Sequence, residues 1–193
     1  YPTVYVMSGA MVNAMKFIFE EKRYFYRQVN HVALAPVDEK EIIEHVVKGF
    51  LNGMGKSFDR NLAMGACELF KSNLWYINHL AAICDALSKG FVTETMMTDA
   101  LESMISVHQI RFMSIVNDLT DHQLSLLRAV LDGVVKFSAS DVIEKYHLNS
   151  SANVRRVKDA LKKKEVITFN EKDEPLVIDP LFEYWLRRTY FEI

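Results

Sequence analysis

Residues 120–185 read TDHQLSLLRAVLDGVVKFSASDVIEKYHLNSSANVRRVKDALKKKEVITFNEKDEPLVIDPLFEYW, and the periodicities within this stretch decide the fold. Leu124, Leu127, Val130 and Leu131 recur at helical spacing and predict a first helix over about Asp121 to Val135. Ser138-Ala139-Ser140-Asp141 supplies a cap for a short second helix, Val142 to Tyr146. His147-Leu148-Asn149-Ser150-Ser151 is a turn, and Ser150 or Ser151 caps a third helix over about Ala152 to Lys163. A β-rich run, Val166-Ile167-Thr168-Phe169, precedes a polar tip at Asn170–Glu174 and a second strand at Pro175–Ile178.

Helix, helix, helix, hairpin is the order of a winged helix-turn-helix, a recognition module for DNA or protein without a catalytic constellation of its own. Its third helix carries Arg155, Arg156, Lys158, Lys162, Lys163 and Lys164. In a DNA-binding winged helix such side chains reach bases and phosphates in the major groove. Here residues 119–193 hold 12 basic and 12 acidic side chains, and the wing tip carries Glu171, Asp173 and Glu174, where a groove binder prefers cations. Arg155, Arg156, Lys158 and Lys162 are therefore candidate nucleic-acid contacts. The competing expectations are protein docking and a solvated helix with Val154, Val157 and Leu161 turned inward.

Upstream the pattern changes. Val4-Tyr5-Val6-Met7 is apolar and β-rich, ends in Ser8-Gly9, and passes into a helix-like stretch from Met11 to Phe19. It predicts a buried strand entering a helix, as in an α/β domain whose remaining strands lie upstream of Tyr1. Val32-Ala33-Leu34-Ala35-Pro36 reads as extended, and Pro36 stops anything helical before it. Helices then follow from Asp38 to about Leu51, from Asp59 to about Phe70, from Leu74 to Ser88, and from Thr93 to about Asn117. The expected fold class is mainly α: the remnant of an α/β nucleotide domain over 1–36, a helical lid bundle over 37–118, and a winged helix with a small hairpin over 119–193.

Composition excludes several classes. Net charge is −2, so bulk electrostatics does not drive the chain toward nucleic acid. Two cysteines, Cys67 and Cys84, do not make a disulfide framework, and reduced buried thiols point to a cytoplasmic protein. The longest apolar stretch, Val4 to Phe19, is interrupted by Ser8, Asn13 and Lys16, which argues against a membrane span or leader. The six histidines do not pair with cysteines or carboxylates at metal-ligand spacing, so no metal site is expected. Gly55-Lys56-Ser57 resembles the tail of a phosphate loop, but Phe50 stands where the leading Gly belongs and a helix precedes it; the match is accidental.

Four segments together resemble the AAA+-related archaeal-type ATPases, close to the signal-transduction (STAND) P-loop NTPases. Tyr5-Val6-Met7-Ser8-Gly9-Ala10-Met11 is similar to their first sensor. Phe25-Tyr26-Arg27, before Val32–Pro36, is similar to the stretch with an arginine at the domain edge. Asn73–Leu80 resembles the lid helix near the nucleotide base, and Val177–Arg187 the end of their winged helix. The resemblance implies that Ser8 senses the terminal phosphate and that Arg27 stabilises phosphate or transition-state charge. It implies that Leu74, Trp75, Tyr76 and Ile77 border the base. ATP and Mg are the implied cofactors, held mainly by a Gly-rich loop (Walker A) and an acidic strand end (Walker B) that this chain lacks, so the chain alone is expected to be inactive. Ala10 stands where the family often has Ser, and Ser72 and Leu74 where it has Gly and Pro.

The implied function is that of an ATPase C-terminal part, coupling nucleotide state through the lid to a winged helix. That winged helix docks a protein partner, the protein's own ATPase domain, or DNA, with an oligomer as a further expectation. The alternatives are a non-enzymatic winged-helix DNA-binding regulator with a helical dimerisation or ligand domain, and an interaction module using Trp185 and the tail to Ile193.

Overall fold

The computed structural model describes residues 3–193 apart from 22, 23, 31, 33 and 34. The chain is mainly helical, with one two-stranded antiparallel hairpin among the described residues. It divides into two compact units, each made from two separate stretches: Tyr1–Ala33 with Leu119–Ile178, and Leu34–Asp118 with Asp179–Ile193.

The first unit contains the winged helix. Helices α6 (Asp121–Leu131), α7 (Ser140–Lys145) and α8 (Ser151–Lys163) are followed by strands β1 (Ile167–Phe169) and β2 (Pro175–Val177). Thr120 and Gln123 form a reciprocal capping box at the start of α6, each side chain accepting the other's backbone N–H. The helix ends at Leu131, earlier than the periodicity suggested, because the chain turns at Gly133 with φ +79. Ser150 caps α8 by accepting the Asn153 N–H at 3.2 Å. Leu126, Leu127, Leu148, Val154, Val157, Leu161 and Ile167 close the core. The hairpin pairs Ile167 with Val177, Thr168 with Leu176 and Phe169 with Pro175. Its tip is tied by the Asn170 carboxamide oxygen, which accepts from Lys172 N at 3.0 Å and Glu174 N at 2.9 Å.

An additional helix, α1 (Val12–Phe19), joins this unit. The expected strand before it does not form. Val4, Tyr5 and Val6 are 86, 82 and 91% exposed, and nothing in the described residues pairs with them. A strand exists only through its ladder partner, and among the described residues β1 and β2 pair with each other and with no third strand. The Val32–Pro36 stretch falls partly outside the described residues, at 33 and 34; Val32, Ala35 and Pro36 have no regular structure.

The second unit is a helical bundle of α2 (Glu39–Met54), α3 (Arg60–Phe70), α4 (Leu74–Leu87) and α5 (Glu94–Asn117). Asp38, Asp59, Asn73 and Thr93 cap the four N-termini with side-chain oxygens. Helix α2 runs through Met54, past Asn52 and Gly53, and stops at Gly55, whose φ of +63 suits glycine. Lys56 then donates to the carbonyl of Asp85 at 2.7 Å and to its carboxylate at 2.5 Å, so it closes the end of α4. Ile42, Val46, Phe50, Phe70, Ile77, Leu80, Cys84, Met104 and Phe112 fill the interior.

The tail from Asp179 falls in this compact unit. Helix α9 (Pro180–Trp185) and a π-helical turn (Leu186–Tyr190) bring Leu181, Phe182, Trp185 and Leu186 into the core. Phe112 lies 5.2 Å from Phe182 and 5.6 Å from Trp185, ring to ring. Asp179 fixes the entry of the tail. Its carboxylate accepts the N–H groups of Leu181 and Phe182 at 3.0 and 3.1 Å, the Tyr76 hydroxyl at 2.7 Å, and the Arg111 guanidinium at 2.5 Å.

Candidate docking groove on the winged helix

Helix α8 presents its cations on two faces because of its 3.6-residue period. Arg155, Lys158 and Lys162 follow one another along one side. Arg156 lies further round and donates to the Asn153 side chain at 2.8 Å. Arg155 and Arg156 are exposed, while Lys158 and Lys162 are partly covered. Beside the first stripe lies an open groove of about 890 Å³. Its walls are α8, the α6–α7 loop with Lys136 and Phe137, and the wing with Phe169 and Asp173.

The groove is cationic but tempered. Lys158 Nζ sits 3.9 Å from the centroid of the Phe169 ring and 3.5 Å from the Asp173 carboxylate. Asp159 also lines it. Sequence reasoning found the α8 cations and the acidic wing tip with Asp173 but missed Lys136 and Phe169, because these come from a loop and a strand end with no shared spacing signal.

The other candidates are spread across both units. Ser8 lies in the exposed stretch before α1. Arg27 is exposed in a turn at φ +58, its guanidinium 5.3 Å from the Tyr26 ring centroid. The four residues at the start of α4 do not share one face. Leu74 and Trp75 point outward, with Trp75 57% exposed; Tyr76 and Ile77 are buried. Burial and the hydrogen bond to Asp179 push the Tyr76 phenol well above its ordinary pKa. Trp75 is flanked by His79 at 5.4 Å and His108 at 6.3 Å. Burial, helped by Arg111, lowers the pKa of His108 and favours its neutral ring. Among the described residues no cluster of His, Cys, Asp and Glu has the arrangement to hold a metal ion. No described helix is long and apolar enough to cross a membrane.

The first unit thus has the build of a winged helix, and residues 110–188 match a family model described as "Probable winged helix domain". No curated protein matches the sequence. Among solved structures, the chain is similar to the Walker-type ATPase PABY2304 of Pyrococcus abyssi, with a TM-score of 0.66 at 16% identity. The likeness covers 93% of this chain and 51% of that one, so the chain spans about half the length of that ATPase. At this identity the likeness is one of fold.

Proposed function

We propose that this chain is the C-terminal part of an ATP-binding P-loop ATPase of AAA+/STAND type, in which nucleotide state is passed through the helical bundle to the winged helix. The observation that carries the reading is the fold likeness to half of a Walker-type ATPase over 93% of the chain. In this reading ATP and Mg are held mainly by residues outside the chain, and the chain does not hydrolyse ATP alone. Ser8 senses the terminal phosphate, and Arg27 stabilises developing phosphate charge. Leu74 and Trp75 border the base directly, while Tyr76 and Ile77 anchor the helix that presents them.

The winged helix is the docking module, and its groove takes an acidic segment of a protein partner. Lys136, Arg155, Lys158 and Lys162 supply the attraction. The acidic wing tip next to them disfavours a polyanionic duplex. The test is fluorescent-ATP titration of the native polypeptide, with Arg27→Ala and Trp75→Ala. Binding weakened by both supports the reading; no nucleotide binding at all refutes it. The exposure of Arg155 and Arg156 favours one second reading, a DNA-binding regulator. It requires salt-sensitive duplex binding that is lost in Arg155→Ala/Arg156→Ala.

A further inference from the structure

Helix α1 is held against the far end of α8 by polar bonds between residues about 150 positions apart. Its N-cap residue, Met11, makes no side-chain cap. The Glu165 carboxylate does this instead, accepting Asn13 N–H at 3.1 Å and Ala14 N–H at 2.8 Å. The buried Asn13 side chain donates to the carbonyls of Lys162 at 2.9 Å and Ile167 at 2.8 Å, bracketing the turn between α8 and β1. Lys16 donates to the Phe169 carbonyl at 3.1 Å. Lys162 and Phe169 also line the cationic groove, and the Phe169 ring carries Lys158.

This attachment is polar and sparsely packed. Asn13 is the one buried residue of α1. A cavity of about 440 Å³ opens between Ala14 and Phe17 on α1, with the preceding Met11, and Lys162 and Lys163 on α8. The chain just before α1 has no regular structure and is exposed. An eight-residue helix is not stable by itself in water, so α1 persists only while docked. Polar bonds therefore carry much of what keeps it in place.

We propose that α1 is a regulatory arm of the winged helix. Docked, it fixes the α8–β1 turn and holds Lys162 and Phe169 where the groove accepts an acidic protein segment. Released, it melts, the turn loosens and the groove loses affinity. This rests on the docking reading above and adds its control.

The test uses the full chain, Asn13→Ala and Glu165→Gly, with hydrogen exchange by mass spectrometry and titration with a fluorescent ten-glutamate peptide. Glu165 sits at φ +55, so glycine removes the carboxylate without straining the backbone. In both variants α1 amides are expected to exchange as fast as those of Val4–Met7, protection at Val166–Phe169 to drop, and peptide affinity to fall at least fivefold. The sign is diagnostic, because deleting a carboxylate would by charge alone strengthen binding of an acidic peptide. Unchanged α1 protection overturns the proposal. So does released α1 with unchanged protection at Val166–Phe169 or unchanged affinity. If the wild type does not bind the peptide, the docking reading falls, and the exchange at Val166–Phe169 still decides whether the arm holds the turn.

Discussion

Asp179→Ala tests how the tail is held in the helical bundle. The carboxylate has three tasks. It caps α9 through Leu181 and Phe182, a contribution of about 1 kcal/mol. It accepts the hydroxyl of Tyr76, a residue 8% exposed, and leaving that group unpaired costs about 1–3 kcal/mol. It also pairs with Arg111, whose side chain is 52% exposed, so solvent screening reduces this part to less than about 1 kcal/mol. Together the loss comes to about 3 kcal/mol. Over a unit of this size that lowers Tm by on the order of 10–20 °C.

The assay follows from the sequence. Both tryptophans, Trp75 and Trp185, lie in the helical unit, so tryptophan emission during urea unfolding reports that unit alone. Asp179→Asn keeps an acceptor for the cap and for Tyr76, and is expected to cost only about 1 kcal/mol. Tyr76→Phe in the Asp179→Ala background should show coupling of about 1 kcal/mol. A loss below about 1 kcal/mol in Asp179→Ala, or zero coupling to Tyr76, would refute the argument that Asp179 clamps the tail.

Three further outcomes are expected. Burial pushes the Cys84 thiol from 9.0 up to about 11, so the unfolded chain loses its proton first as pH rises. The stabilisation is complete below about pH 9 and disappears toward pH 11, a loss of about 2–3 kcal/mol seen in urea midpoints; the raised Tyr76 phenol acts in the same direction. Trp185→Ala should destabilise the bundle by about 3–5 kcal/mol, whereas Trp75→Ala at an exposed position should change it by less than about 1 kcal/mol, both by calorimetry. Leu161→Ala, at a fully buried position on α8, should cost the winged helix about 3 kcal/mol, read by circular dichroism because that unit has no tryptophan.

Much of the helical order was legible because its signals are local. Asp38, Asp59, Asn73, Thr93 and Ser150 start helices through bonds to residues two or three positions away. The inward face of α8, Val154, Val157 and Leu161, repeats at helical spacing, and those positions are buried. The hairpin follows from two β-rich runs either side of a polar tip. The cationic stripe of α8 was legible for the same reason. Val4–Met7 shows the limit: composition gave it strand character, but a strand needs a partner, and none is present among the described residues.

The capped helices, the hairpin and the inward face of α8 are thus legible along the chain, since they depend on neighbours within a turn or two, whereas helix α9 and the fate of Val4–Met7 are not. The tertiary structure alone decided three things. It placed the tail from Asp179 with the bundle, gathered Lys136, Phe169 and Asp173 beside α8, and brought Glu165 to the N-terminus of α1. Each joins residues from about ten to about 150 positions apart. Such contacts are selected by the burial and polar pairing they satisfy together, and no periodicity along the chain encodes them.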